Sequence, residues 1–214
     1  MNILGIPGIL ALLWAGGPLF GVFILIVILL ASREFLVLTG VDNQSSLKWI
    51  TYLVGLGFCC FYYFPKTWSA YHILLFVGLV VIAGFFIEIF RTTSNPTRNL
   101  AMNFFCIFYV GGLLSTLIGL RNLDTLHSTY FTLTMVLSIW ICDSAAFYFG
   151  SKWGRKKILP SISPKKSWVG CIAGLISSFI VYGVATYLHL LEITGEEMCV
   201  LVIITGFFGQ VGDF

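Results

Sequence analysis

Asp143-Ser144, the stretch from Ser151 to Ser167, and Gly209-Gln210-Val211-Gly212-Asp213 hold the polar chemistry of an otherwise apolar chain. A carboxylate close to hydrocarbon is costly to keep, so each acid in this background marks a candidate for function. In Ser163-Pro164-Lys165-Lys166-Ser167-Trp168, hydroxyls flank two lysines, a proline restricts the backbone, and a helix is predicted to begin at once. Free N–H groups at a helix N-terminus, with hydroxyls and cations beside them, make a cradle for phosphate. The glycines around Gln210 predict an opened helix end on which Asp213 presents a hard oxygen ligand. Oxygen-only ligation suits Mg²⁺, which takes one or two carboxylates together with substrate phosphates. Plainer readings stand beside these. Asp143 would also serve as a structural carboxylate paired with a cation on another helix. The cluster from Lys152 to Lys157 would also anchor to anionic lipid heads.

The elements that position these groups are membrane spans. Only 10% of the 214 residues are charged, 58% are hydrophobic, and the mean hydropathy is +0.98. That composition excludes a soluble globular domain. A span needs roughly 20 apolar residues, and such runs predict segments at 3–14, 18–38, 48–64, 69–90, 99–121, 129–151, 168–190 and 198–214. The expected fold is all-α: a polytopic transmembrane bundle of about seven or eight segments around a cytoplasm-facing polar cavity. It is read as one membrane domain, 1–214, with N-terminal spans in 1–128 and the motif-bearing part in 129–214. Residues 3–14 are short for a span and are cut off by Gly16-Gly17-Pro18, which predicts a half-helix, a re-entrant piece or a shallow span. No Lys or Arg precedes Arg33, so the N-terminus lacks the charge pattern of a cleaved signal peptide.

Charge placement sets the orientation. Loop 151–167 carries Lys152, Arg155, Lys156, Lys157, Lys165 and Lys166 and is predicted to be cytoplasmic. Alternating through the spans puts ten of the twelve basic residues on that side and leaves Lys66 and Arg121 opposite. Glu34, Glu88, Asp143 and Asp213 then gather toward the same face, an arrangement suited to a metal ion and a phosphorylated ligand. Loop 191–197, with Glu192, Glu196 and Glu197, falls on the far side. The six cysteines lie in apolar segments without C-x-x-C spacing and read as small buried residues. His72, His127 and His189 read as structural. No Walker A loop, dinucleotide-binding glycine fingerprint, G-x-S-x-G or H-E-x-x-H occurs.

Several of these motifs fall in a familiar order. Asp143-Ser144-x-Ala146-x-Tyr148, Gly150-x-x-x-Gly154, Ile162-Ser163-Pro164-Lys165-Lys166-Ser167-Trp168-x-Gly170 and Gly209-Gln210-x-Gly212-Asp213 resemble the integral-membrane phosphatidate cytidylyltransferases, or CDP-diacylglycerol synthases. Arg33-Glu34-Phe35-x-x-Leu38 is similar to that family's early Glu-aromatic element. Val169 stands where the family commonly has Glu.

The resemblance implies a reaction of CTP with phosphatidate that gives CDP-diacylglycerol and pyrophosphate with Mg²⁺. It implies that Asp213 is a metal ligand, and that Asp143, Lys165 and Lys166 are catalytic. Ser144, Ser163, Pro164, Ser167 and Gln210 would contact substrate. The partners expected are CTP, phosphatidate and membrane lipid, without nucleic acid, and a homodimer is allowed. The expected location is the cell (inner) membrane. Beyond Gly-Asp the family carries a His-Gly-Gly segment with a second metal-binding carboxylate. The chain read to Phe214 is therefore expected to be a C-terminally truncated form with little turnover by itself. Three rivals stay open: a CTP-dependent polyprenol or phytol kinase, a membrane transporter, and an inactive scaffold. A transporter would show internal repeats with paired broken helices, and no convincing repeat is found.

Overall fold

The computed structural model describes residues 2–41, 45–91, 95–123, 126–158, 160 and 163–212. Among them are eight helices: α1 (Asn2–Ala15), α2 (Gly17–Leu38), α3 (Ser45–Tyr63), α4 (Ala70–Ile89), α5 (Pro96–Arg121), α6 (Leu126–Trp153), α7 (Trp168–Tyr187) and α8 (Gly195–Gly212). Six of these are long and apolar enough to cross a membrane, and the shorter apolar helices Gly5–Ala15 and Leu47–Tyr63 account for the others. The chain is a polytopic membrane helical bundle. Along α4, Leu75, Leu79, Ile82 and Phe86 are all exposed. A helix that turns large apolar side chains outward is at home only in lipid.

Each predicted segment is found, and the shifts at its ends have local causes. The last span begins at Gly195 rather than 198 because Thr194 and Glu197 form a capping box that satisfies the first free N–H groups. The seventh ends at Tyr187 rather than 190, and His189 then turns the chain with a left-handed φ of 55°. Gly16 and Gly17, at φ 61° and 57°, break α1 from α2 as their composition predicts. With 14 residues, α1 is about 21 Å long and too short to span alone. Arg121 caps it: Nε donates to the Leu13 carbonyl at 2.8 Å and Nη2 to the Trp14 carbonyl at 3.0 Å.

The chain divides into two compact units, Met1–Asp124 and Thr125–Phe214. In the first, Arg121 and the α1 end lie together, while Arg98 donates to the Thr39 carbonyl at 3.0 Å. That unit also buries a polar chain. Asn99 donates to Glu88 at 3.0 Å, Thr51 donates to Asn103 at 2.9 Å, and Arg91 stands 3.6 Å from the Glu88 carboxylate. Glu88 is thus paired with Arg91, and its side chain is buried.

The second unit is built on the contact of α6 with α7. The buried face of α7 reads Gly170, Gly174, Ser178, Tyr182, in steps of four residues. Steps of four keep one helix face, and small residues on it let two backbones approach. The approach is closest at the Gly170 end. A Cβ on Gly170 would lie 2.6 Å from the Ala146 carbonyl oxygen and 3.2 Å from the Gly150 Cα. Helix α8 packs on both, and it is not a uniform α-helix: Ile203–Phe208 form a π-turn. A second π-turn, Ile107–Gly112, interrupts α5.

Candidate active site

The loop after α6 is folded back by short backbone bonds rather than left as a solvated tether. Lys157 and Ser167 form an antiparallel bridge. Ile158 N–H donates to the Lys166 carbonyl at 3.2 Å and Trp168 N–H to the Lys156 carbonyl at 3.1 Å. A tight turn closes the end, with Lys166 N–H donating to the Ser163 carbonyl at 3.3 Å. Ser167 then caps α7. Its buried hydroxyl accepts from Gly170 N–H at 3.3 Å and donates to the Gly150 carbonyl at 3.4 Å. One hydroxyl thus satisfies a helix N-terminus and ties it to α6. Gly154 has no room for a side chain, since a Cβ there would collide with the Ser167 hydroxyl and the Gly150 carbonyl.

This folding encloses a cleft of about 470 Å³. Asp143, Phe147 and Ser151 line it from α6, Lys157 and Ser163 to Ser167 from the loop, Gly170 and Cys171 from α7, and Gln210 from α8. Three lysines and one carboxylate lining one cleft make a setting suited to a polyanion. The cleft stands at the N-terminus of the 20-residue helix α7, whose dipole adds to the positive potential.

Of the residues singled out from sequence, Asp143, Ser163, Pro164, Lys165, Lys166, Ser167 and Gln210 are brought to this one cleft. Ser144 is not among its lining residues, although it is exposed. Successive helix residues are about 100° apart, and Asp143, Ala146 and Phe147 already define the face that meets the cleft. Asp213 lies outside the described residues. The glycines around Gln210 do not open the helix: Gly209–Gly212 are helical, and the irregularity lies upstream in the π-turn.

Gln210 is a hub rather than a surface amide. It is buried, and its Nε2 donates to Cys142 Sγ at 3.2 Å and to the Cys171 carbonyl at 3.3 Å. Its own backbone carbonyl accepts from Lys166 Nζ at 3.0 Å. Lys166 therefore ties the loop to the backbone of α8 through a charge-assisted hydrogen bond. Lys165 also lines the cleft and is the more exposed of the two.

Sequence reasoning passed over Lys157, Ser151, Cys142 and Cys171. Lys157 reads as a lipid anchor in sequence, and only the bridge to Ser167 carries it to the cleft. Cys142 reads as an apolar filler, yet its thiol also donates to the Gly206 carbonyl at 3.6 Å. Spacing offered one usable signal, since Cys142 and Asp143 are adjacent to the two faces that α6 must present.

The donor set around Asp143 is oxygen-rich. A carboxylate with Ser151 and Ser163 lining the same cleft is hard-ligand chemistry of the kind Mg²⁺ accepts. No group of three or more His, Cys, Asp or Glu side chains that would enclose a metal occurs among the described residues. An ion here would therefore complete its shell with water and phosphate oxygens.

Comparison with known proteins places the sequence. The model of the cytidylyltransferase family matches residues 1–214. Phosphatidate cytidylyltransferase of Haemophilus influenzae is 31% identical over 90 residues, 42% of this chain and 31% of that protein. The phosphatidate cytidylyltransferase of Staphylococcus haemolyticus is 34% identical over 137 residues, 62% of this chain and 51% of the relative. That of Staphylococcus aureus is 25% identical over 209 residues, 95% of this chain and 76% of the relative. Over the first two matches the chain spans between a third and a half of its relatives' length. Six apolar helices and these bacterial relatives make it a multi-pass protein of the inner membrane.

Proposed function

Because this chain belongs to the cytidylyltransferase family, we propose that it transfers a cytidylyl group from CTP to phosphatidate, giving CDP-diacylglycerol and pyrophosphate. The observation that carries this reading is the convergence of Asp143 with Lys157, Lys165 and Lys166 on one cleft at the N-terminus of α7. In the reaction a phosphatidate oxygen attacks the α-phosphorus of CTP. The new P–O bond forms as the bond to the bridging oxygen breaks, and pyrophosphate leaves with that electron pair. Such a step asks the protein to position two anions and to neutralise charge as it develops. Lys165 supplies an exposed charge for phosphate oxygens, and Lys157, whose Nζ donates to the Lys165 carbonyl at 3.4 Å, supplies a second beside it. Lys166 supplies a fixed one, because the α8 carbonyl holds its ammonium.

Mg²⁺ is the proposed cofactor, and Asp143 is the described carboxylate that would hold it, with Asp213 the ligand that the family resemblance implies. When bound, the ion would draw charge from the phosphate oxygens and favour the departure of pyrophosphate. Loop 151–167 is proposed to face the cytoplasm, which supplies CTP. The flank of the cleft supports a lipid acceptor: Phe147, Tyr148, Trp153 and Trp168 are exposed nearby, and aromatic side chains gather at membrane interfaces. Lys152 sits among them, its Nζ donating to the Tyr148 hydroxyl at 2.6 Å.

The test is incorporation of radiolabelled CTP into chloroform-soluble product by the full-length protein, purified and placed in liposomes containing phosphatidate. Label in CDP-diacylglycerol, dependent on phosphatidate and Mg²⁺, is expected. Transfer of the γ-phosphate from CTP to a polyprenol, with no cytidine in the lipid, would replace this reading by the kinase one.

A further inference from the structure

One buried hydroxyl group lies behind the cleft and touches none of it. Thr205 sits inside the π-turn of α8, 3% exposed, and Ser138 on α6 is fully buried opposite it. Their hydroxyl oxygens are 3.1 Å apart. Thr205 Oγ1 also donates to the Leu201 carbonyl at 2.9 Å. A hydroxyl has one proton to give, so Thr205 must accept from Ser138. Hydrogen bonds between helices in the apolar interior hold them in register.

We infer that Thr205 is a positioning residue for the cleft: its hydroxyl holds the π-turn of α8 and, through Gln210, sets where Lys166 stands. A π-turn bonds i to i+5 in place of i+4, so it adds about one residue and rotates everything beyond it by roughly 100°. Gln210 is five residues past Thr205. Only with that rotation does its amide meet Cys142 and Cys171, and its carbonyl meet Lys166. The links are continuous. The Gly206 carbonyl, next to Thr205, accepts from Cys142 at 3.6 Å, and Cys142 in turn accepts from Gln210. Space enforces the same register, since a Cβ on Gly174 would collide with the Gln210 amide nitrogen. A regular α-helix through Thr205 would satisfy more backbone bonds locally. The hydroxyl cluster offsets that preference and keeps the wide turn.

The role in turnover rests on the cytidylyltransferase reading, so the experiment has one readout that needs activity and one that does not. Thr205→Val keeps the shape and removes the hydroxyl, and Thr205→Ser keeps the hydroxyl. In the liposome assay, Thr205→Val is expected to raise the KM for CTP by about tenfold or more, the scale of effect that misplacing a binding group produces. Thr205→Ser should stay within about twofold of the parent, as its hydroxyl retains the contact. The second readout is maleimide labelling in detergent, followed residue by residue by mass spectrometry. Cys142 and Cys106 are both fully buried in the parent. In Thr205→Val, Cys142 should become reactive as Gln210 withdraws, while Cys106 in the other unit stays protected.

Cys142 remaining protected in Thr205→Val, or a CTP KM that does not move, would overturn the inference. So would Thr205→Ser behaving as Thr205→Val does. If Thr205→Val exposes both thiols, it has unfolded, and Ser138→Ala decides on the same two readings. A parent protein that makes no cytidine-labelled lipid would remove the functional reading, and the thiol readout would still test the relay.

Discussion

Lys166 Nζ donates to the backbone carbonyl of Gln210 at 3.0 Å, across 44 positions of sequence. The bond makes one of two neighbouring lysines part of the scaffold and leaves Lys165 to move. Lys166→Ala should lower both thermal stability and CTP-dependent synthesis. The lost charge-assisted hydrogen bond is worth about 1.5–3 kcal/mol, which a protein of this size reads as a fall of roughly 2–4 °C per kcal/mol. Lys165→Ala should leave the melting temperature unchanged and raise the CTP concentration needed for half-maximal rate. Differential scanning fluorimetry beside a CTP titration separates them. Equal melting temperatures for the two variants would show that the Gln210 contact carries no stability.

Asp143 and Ser144 are adjacent in sequence and differ in placement. Asp143 lines the cleft, and Ser144 is not among its lining residues. Asp143→Asn preserves size but removes the negative charge a hard cation needs. It should cut Mg²⁺-dependent synthesis on the order of a hundredfold or more, as loss of a charge-stabilising group does. Ser144→Ala should stay near the parental rate. Asp213→Asn, at the position implied by the family resemblance, should behave as Asp143→Asn does. A Ser144→Ala variant as impaired as Asp143→Asn would mean that the active cleft opens on another face of α6.

The spans and the main cleft residues were legible for simple reasons. Apolar runs broken by Gly16-Gly17-Pro18 or by charged loops mark membrane helices, and hydroxyls beside Lys165 and Lys166 mark an anion site. What escaped depends on contacts between distant residues. Lys157 reaches the cleft only because its backbone pairs with Ser167, which no spacing announces. That Ser144 does not line the cleft depends on the rotational phase of α6, which its polar residues, spread around the helix, do not define. The π-turn at Thr205 has no local signature, since Ile203-Ile-Thr-Gly-Phe-Phe208 is compatible with an ordinary helix. The contact inferred to hold it comes from α6, where the Ser138 hydroxyl meets that of Thr205.

Gly170 and Gly183 stand on the same helix and should respond in opposite directions. A Cβ at Gly170 would press on backbone, 2.6 Å from the Ala146 carbonyl oxygen, whereas nothing lies within 4 Å of one at Gly183. Backbone cannot swing aside as a side chain can. Gly170→Ala should therefore cost about 1–3 kcal/mol and also open the cleft, because α7 begins beside it. Gly183→Ala should be neutral or stabilising by up to about 1 kcal/mol, the helix preference of Ala over Gly. Thermal unfolding in detergent reads both. A Gly170→Ala protein as stable as the parent would refute the close approach of α6 and α7.

The proposed orientation of the cleft rests on the charge pattern of the sequence, which predicts ten basic residues on one side against two on the other. It is tested with single cysteines at Lys156→Cys and Glu192→Cys in a background freed of the native thiols. In that background Cys142 is best replaced by serine, which can still donate to the Gly206 carbonyl and accept from Gln210 as the thiol does. A membrane-impermeant maleimide added to intact cells should label position 192 and leave position 156 unlabelled until the membrane is opened. The expectation has a physical basis beyond counting. Loop 191–197 carries Glu192, Glu196 and Glu197 and no Lys or Arg, while six basic residues in one loop resist translocation and are drawn to anionic lipid on the cytoplasmic leaflet. Labelling of position 156 from outside would turn the cleft away from the compartment that holds CTP. The proposed reaction could not survive that result.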